Sequence, residues 1–181
     1  TWRRVTAGNS HSAAIRSDGT LWTWGLNSSS QLGLGDTVNR LAPTQVGSDS
    51  DWSEITCGTG HTVALKTDGS LWAWGTNTSG QLGLGDTVAR SVPVRVGSAN
   101  DWTAVVAGSN HTLALRGIGE LWGWGANSGQ VGDGTTSIRT SPVRVGVESD
   151  WRSLAAGSTH SLGIRSTGSL WFWGSNLNGQ R

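Results

Sequence analysis

Residues 11 to 37 read "HSAAIRSDGTLWTWGLNSSSQLGLGDT", and the first half of that stretch decides the fold. "HSAAIRS" alternates with period two, placing His11, Ala13 and Ile15 on one face and Ser12, Ala14 and Arg16 on the other. One face is bulky and the other small. "SDGT" supplies a turn, with Gly19 at the position that calls for positive φ, as Gly69, Gly119 and Gly168 do further on. "LWTWG" then returns as a second strand, with Trp22 and Trp24 on one face and Leu21 and Thr23 on the other.

The stretch recurs along the chain. Trp2, Trp52, Trp102 and Trp151 are spaced by 50, 50 and 49 residues, and His11, His61, His111 and His160 keep the same period. The one missing residue falls between Asn127 and Gln130. The 181 residues form a single repeat array with units at 1–50, 51–100 and 101–149 and an incomplete fourth at 150–181. "WRRVTAG" adds another strand per unit, and "PTQVG" or "PVRVG" adds one whose proline fits only a sheet edge. Four short antiparallel strands per unit, with no helical pattern between them, predict an all-β fold. The architecture is a β-propeller of four-stranded blades, with about 3.6 repeats of ~50 residues present.

Blades inside a propeller are covered on both faces, so the bulky face of one is expected against the small face of the next. Each tryptophan buried removes roughly 150 to 250 Å² from water, so a pair contributes on the order of 8 to 12 kcal/mol before entropy is subtracted. That favours the pairs as packing devices over exposed stacking platforms.

Thirteen basic and twelve acidic residues leave a net charge of +1, which excludes a bulk pull toward nucleic acid. Cys57 replaces Ala7, Ala107 and Ala156 of the other units and reads as a small buried filler. No apolar run is long enough for a membrane helix. The absence of Met and a start inside a repeat predict a mature or excised piece. One Lys against twelve Arg, with abundant Ser, Thr and Gly, predicts a secreted or cell-envelope protein.

Catalytic and metal readings find little support. The four histidines belong to four different units, whereas zinc needs three or four ligands at about 2 Å from one ion. They are expected to be buried structural residues that hydrogen-bond between strands, with no metal or cofactor. Asp18 and Asp68 give way to Ile118 and Thr167, and Asp36 and Asp86 to Thr135, so those acids read as turn formers. "GLGDT" lacks the ending of a phosphate loop.

The remaining recurrent feature is basic. Arg16, Lys66, Arg116 and Arg165 close the histidine strand, while Arg40, Arg90 and Arg139 lie in the loop after "GDT". Equivalent positions form arcs on one rim, so these seven are the candidate partner-binding residues. The alternative is that each pairs with a neighbouring aspartate.

Residues 51 to 87, "DWSEITCGTGHTVALKTDGSLWAWGTNTSGQLGLGDT", resemble the repeat of the regulator of chromosome condensation family, and the resemblance covers the whole chain. "LWAWG" and "VGSDSDW" are most similar to bacterial members. The resemblance implies a propeller, typically seven-bladed, acting as a non-enzymatic protein-interaction module or scaffold. It also leaves open an exchange-type regulator of a small GTPase and a glycan-binding propeller. Light sensing in this family uses a Trp directly before an Arg-His pair; here Asn9 and Ser10 precede His11, and Thr59 and Gly60 precede His61.

Three full units and part of a fourth cannot close a ring of seven. The unit at 151–174 keeps its apolar positions and adds Phe172. Self-association, or membership of a longer propeller, is therefore expected.

Overall fold

The computed structural model describes residues 1–180. β1 (Trp2–Ala7), β2 (His11–Arg16), β3 (Leu21–Gly25) and β4 (Arg40–Gln45) form the first antiparallel sheet in that order. β5 (Trp52–Cys57), β6 (His61–Lys66), β7 (Leu71–Gly75) and β8 (Arg90–Arg95) form the second. β9 (Trp102–Ala107), β10 (His111–Arg116), β11 (Glu120–Gly125) and β12 (Arg139–Arg144) form the third. The last sheet has three strands, β13 (Trp151–Ala156), β14 (His160–Arg165) and β15 (Leu170–Gly174). Among the described residues there is no helix.

These sheets are propeller blades. Pro43, Pro93 and Pro142 lie in β4, β8 and β12, the outer edge strands, where a missing N–H breaks no ladder. Neighbouring blades meet through their first two strands, β1 and β2 against β5, then β5 and β6 against β9. The first strand of each blade therefore lies innermost.

The alternation in "HSAAIRS" determines what faces what. Ala13, Ile15 and Leu21 of the first blade pack against Trp52, Ile55, Ala64 and Trp74 of the second. One unit on, Val63, Leu65 and Leu71 pack against Trp102, Val105, Ala114 and Trp124. Across each hairpin a small residue faces a tryptophan, Ala14 opposite Trp22 and Ala64 opposite Trp72. The core is thus a row of joints between blades.

Two kinds of glycine permit this closeness. A Cβ on Gly58 would run into the His61 ring and sit 2.6 Å from the Gly108 carbonyl of the next blade. Gly19, at φ +80°, turns the hairpin so that its carbonyl accepts from the Trp52 amide at 3.2 Å.

In the second and third units the two tryptophans of the pair turn out to differ. Trp74 and Trp124 are fully buried, whereas Trp72 and Trp122 are only partly covered. Cys57 is buried in the joint between the first two blades, and burial pushes its thiol up to about 12.

Candidate functional site

The repeated histidines join blades. His11 Nε2 lies 2.9 Å from Thr62 Oγ1, whose hydroxyl donates to the Gln31 carbonyl at 2.8 Å. Since that hydroxyl donates onward, it accepts from the ring, so Nε2 carries the proton. Trp74 Nε1 donates to the same carbonyl at 3.0 Å. The relay alternates between blades: His11 and Gln31 belong to the first, Thr62 and Trp74 to the second.

It recurs at the next two joints. His61, Thr112, Gln81 and Trp124 form the second relay, and His111, Ser161, Gln130 and Trp173 the third. Burial holds the rings neutral, His11 and His111 near 4 and His61 near 3. Their Nδ1 atoms have no partner among the described residues, so a second proton would be buried without an acceptor. The sequence pointed to bonds between strands; the strands belong to adjacent blades. The signal was present, because a Ser or Thr follows every one of the four histidines.

The first set of candidate bases is held between rings. Lys66 Nζ lies 4.9 Å from the centres of both Trp52 and Trp72. Arg16 sits likewise between Trp2 and Trp22, Arg116 between Trp102 and Trp122, and Arg165 between Trp151 and Trp171. Acids complete the arrangement: Lys66 pairs with Asp49 and Asp51, Arg116 with Asp101 and Arg165 with Asp150. Arg16 has no such carboxylate among the described residues, and Thr1 stands where the other units have Asp51, Asp101 and Asp150.

The second set clamps the long loops. Arg40 pairs with Asp36 and Arg90 with Asp86, both at 2.6 Å. The Arg40 guanidinium bonded to Asp36 holds its carboxyl below the usual carboxylate range. Buried Asn27 donates to Asp36 and accepts from the Leu32 amide, and Asn77 repeats this with Asp86 and Leu82.

The reading that this acid is lost in the third unit is corrected by the structure. The shortened loop brings Asp133 onto Arg139 and Asn127 in place of Asp36 and Asp86, while Thr135 donates to it. Linear alignment matched Thr135 to those acids because it could not show where the loop closes up.

Six of the seven bases are thus engaged with carboxylates. What the loops and their flanking strands leave open is apolar. Val38, Leu41, Val88, Val92 and Ile138 are exposed beside the clamped arginines of three successive blades. Sequence reasoning passed over them because a lone exposed Val carries no signal; here the repeat multiplies it. Between blades run two equivalent grooves. One, of about 440 Å³, is lined by Leu34, Val46, Trp52, Trp72 and Pro93. The other, of about 420 Å³, is lined by Leu84, Val96, Trp102, Trp122 and Pro142.

Repeated blades, buried joints and clamped rim loops define a propeller-repeat protein. The chain belongs to the Regulator of chromosome condensation (RCC1) repeat family, whose pattern matches residues 18–65, 68–115 and 119–164. A second form of the repeat matches 2–31, 52–81, 102–130 and 151–180.

The chain is 48% identical over 44 residues to the Homo sapiens E3 ubiquitin-protein ligase HERC2, covering 24% of this chain and 1% of that protein. The structure of human WBSCR16 superposes with a TM-score of 0.88 at 22% identity, over 99% of this chain and 49% of that one. Yeast RCC1 (Prp20) bound to Kap60 superposes at 0.86 with 25% identity, over 97% and 44%. Prp20p from Saccharomyces cerevisiae, described with its binding to Gsp1p and histones, gives 0.83 and 26%, over 96% and 45%. The chain spans slightly under half of these solved chains.

Proposed function

We propose that the chain is a non-enzymatic protein-binding module whose partner lies across the rim formed by the loops at 26–42, 76–92 and 126–141. The observation that carries this is the recurrence of an exposed branched side chain, Val38, Val88 and Ile138, on loops fixed by buried Asn and an Asp–Arg pair. A loop held rigid before binding loses little entropy on binding, and an apolar arc with an Arg border has interface composition. Binding of Kap60 by yeast RCC1, and of Gsp1p and histones by Prp20p, supports protein partners for this repeat plan.

The test is capture of partners from source lysate by the wild-type chain and by the triple variant Val38→Glu, Val88→Glu, Ile138→Glu. The proposal expects a protein retained by the first and lost from the second, with both melting alike. Equal retention by both would contradict it. Nucleotide release from a captured GTPase would specify an exchange-type regulator. A second reading, glycan binding, is favoured by the two grooves lined by partly covered Trp72 and Trp122; binding on a glycan array that is lost with Trp72→Ala would select it.

A further inference from the structure

We propose that the groove between the second and third blades binds an acidic segment of a protein partner, a carboxylate beside one apolar side chain. This rests on the reading of the chain as a protein-binding module and gives the chemistry of what it binds.

The two grooves between blades share an apolar floor and differ in charge. Leu34, Val46, Trp52 and Trp72 line one as Leu84, Val96, Trp102 and Trp122 line the other. The first is bordered by Gln45 and Asp49, with no base in its lining. The second is bordered by Arg95 and Arg116, with no carboxylate in its lining. Arg95 stands where the first unit has Gln45, since each faces the first tryptophan of its pair across the ladder, Trp72 and Trp22. Ala99 stands where the first unit has Asp49.

Of the two bases, Arg95 is the one whose charge is unmatched. Arg116 is paired with Asp101 and held between two rings. Arg144, the counterpart of Arg95 in the third unit, lies 3.3 Å from Glu120. The second unit has Ser70 at the position of Glu120, and that hydroxyl serves Trp72 and Asp68 instead. Arg95 therefore has no carboxylate at ion-pair distance among the described residues. Asp68 feels its positive charge without pairing with it. Its Nη2 donates to the Ser98 carbonyl and to Asn100 Oδ1, both at 3.1 Å, which anchors the guanidinium to the turn at the groove's edge. Trp122 adds a second unmet donor. Its Nε1 is buried without an acceptor among the described residues, whereas Trp72 of the first groove donates to Ser70.

Such a lining selects its occupant. A guanidinium at the edge of an apolar cavity rewards a carboxylate with charge-assisted hydrogen bonds. A volume of about 420 Å³ leaves room for an apolar side chain beside it. Continuity with the rim makes the occupant a protein segment. Ser141 and Pro142 line the groove from β12, which begins directly after exposed Ile138. A partner lying on the rim loops reaches the groove along that one strand.

The test is fluorescence anisotropy with two labelled peptides, Glu-Asp-Phe-Asp-Glu and its amide counterpart Gln-Asn-Phe-Asn-Gln, on the wild type, Arg95→Gln and Arg95→Glu. Arg95 is exposed, so both variants should melt as the wild type does. We expect the wild type to bind the acidic peptide, with affinity about tenfold lower for the amide peptide and for Arg95→Gln. Arg95→Glu should lose the acidic peptide and bind Lys-Arg-Phe-Arg-Lys in its place, a gain that a misfolded chain cannot give. No binding of the acidic peptide by the wild type, equal binding of the acidic and amide peptides, or binding unchanged in Arg95→Gln would each overturn the proposal. Binding of a uronic-acid oligosaccharide in place of the acidic peptide would overturn it in favour of the glycan reading. None of these results touches the rim, where capture lost with the triple variant would still support the module, so the two failures are told apart.

Discussion

The second and fourth blades are built from nearly the same words, "HTVALKTDGSLWAWG" and "HSLGIRSTGSLWFWG", yet one is interior and the other is not. Leu71 is fully buried and Leu170 more than half exposed, although both open the same strand of their blades. The difference is the neighbour. A blade of this chain holds no core of its own; it holds two half-joints, and stability resides where a second blade completes them.

The largest expected effect breaks a joint at its aromatic centre. Trp124→Ala removes a fully buried ring and its bond to the Gln81 carbonyl, and should cost about 3 to 5 kcal/mol in urea unfolding. The equivalent Trp24→Ala, on the outer face, should cost well under half of that in dilute monomer. Equal losses would end the distinction between the two regions.

Acid should act on joints as well. The buried histidines have folded pKa values below the ordinary 6.5, so the unfolded chain takes up protons first. Their stabilisation is therefore complete above about pH 6.5 and is lost as pH falls toward 4, at about 1.4 kcal/mol per pH unit for each ring. Unfolding free energies measured between pH 7 and 5 should show that slope. His61→Gln, which does not titrate, should reduce it by about a third, and an unchanged slope would count against the relay.

Smaller effects follow for the hydroxyls. Thr62→Val leaves His11 Nε2 buried without an acceptor and should cost about 1 to 3 kcal/mol, while Ser12→Ala should be nearly neutral in the monomer. At the rim the effect is also small: Arg90→Ala, breaking a partly exposed pair with Asp86, should change stability by less than about 1 kcal/mol.

Much of this was legible in the sequence. The period of His and Trp, the alternation in "HSAAIRS" and the proline strand led to blades and to their order, because strand geometry is local. The joints were only half legible. Ser12, Thr62, Thr112 and Ser161 were read as small residues, since the partners of Thr62, Thr112 and Ser161 sit on a different blade and no local pattern shows the pairing. The candidate bases were found at their positions, but their ion pairs depend on loop closure, as Asp133 shows against Thr135. The exposed Val38, Val88 and Ile138 were missed because exposure is a property of the assembled rim.

Amide hydrogen exchange on the wild type and on Trp124→Ala tests the central claim most directly, because it reads each blade separately. Protection of β6 and β7 should be high in the wild type and should fall with Trp124→Ala, because that ring completes the joint between the second and third blades. Protection of β6 and β7 left unchanged by Trp124→Ala would contradict the account.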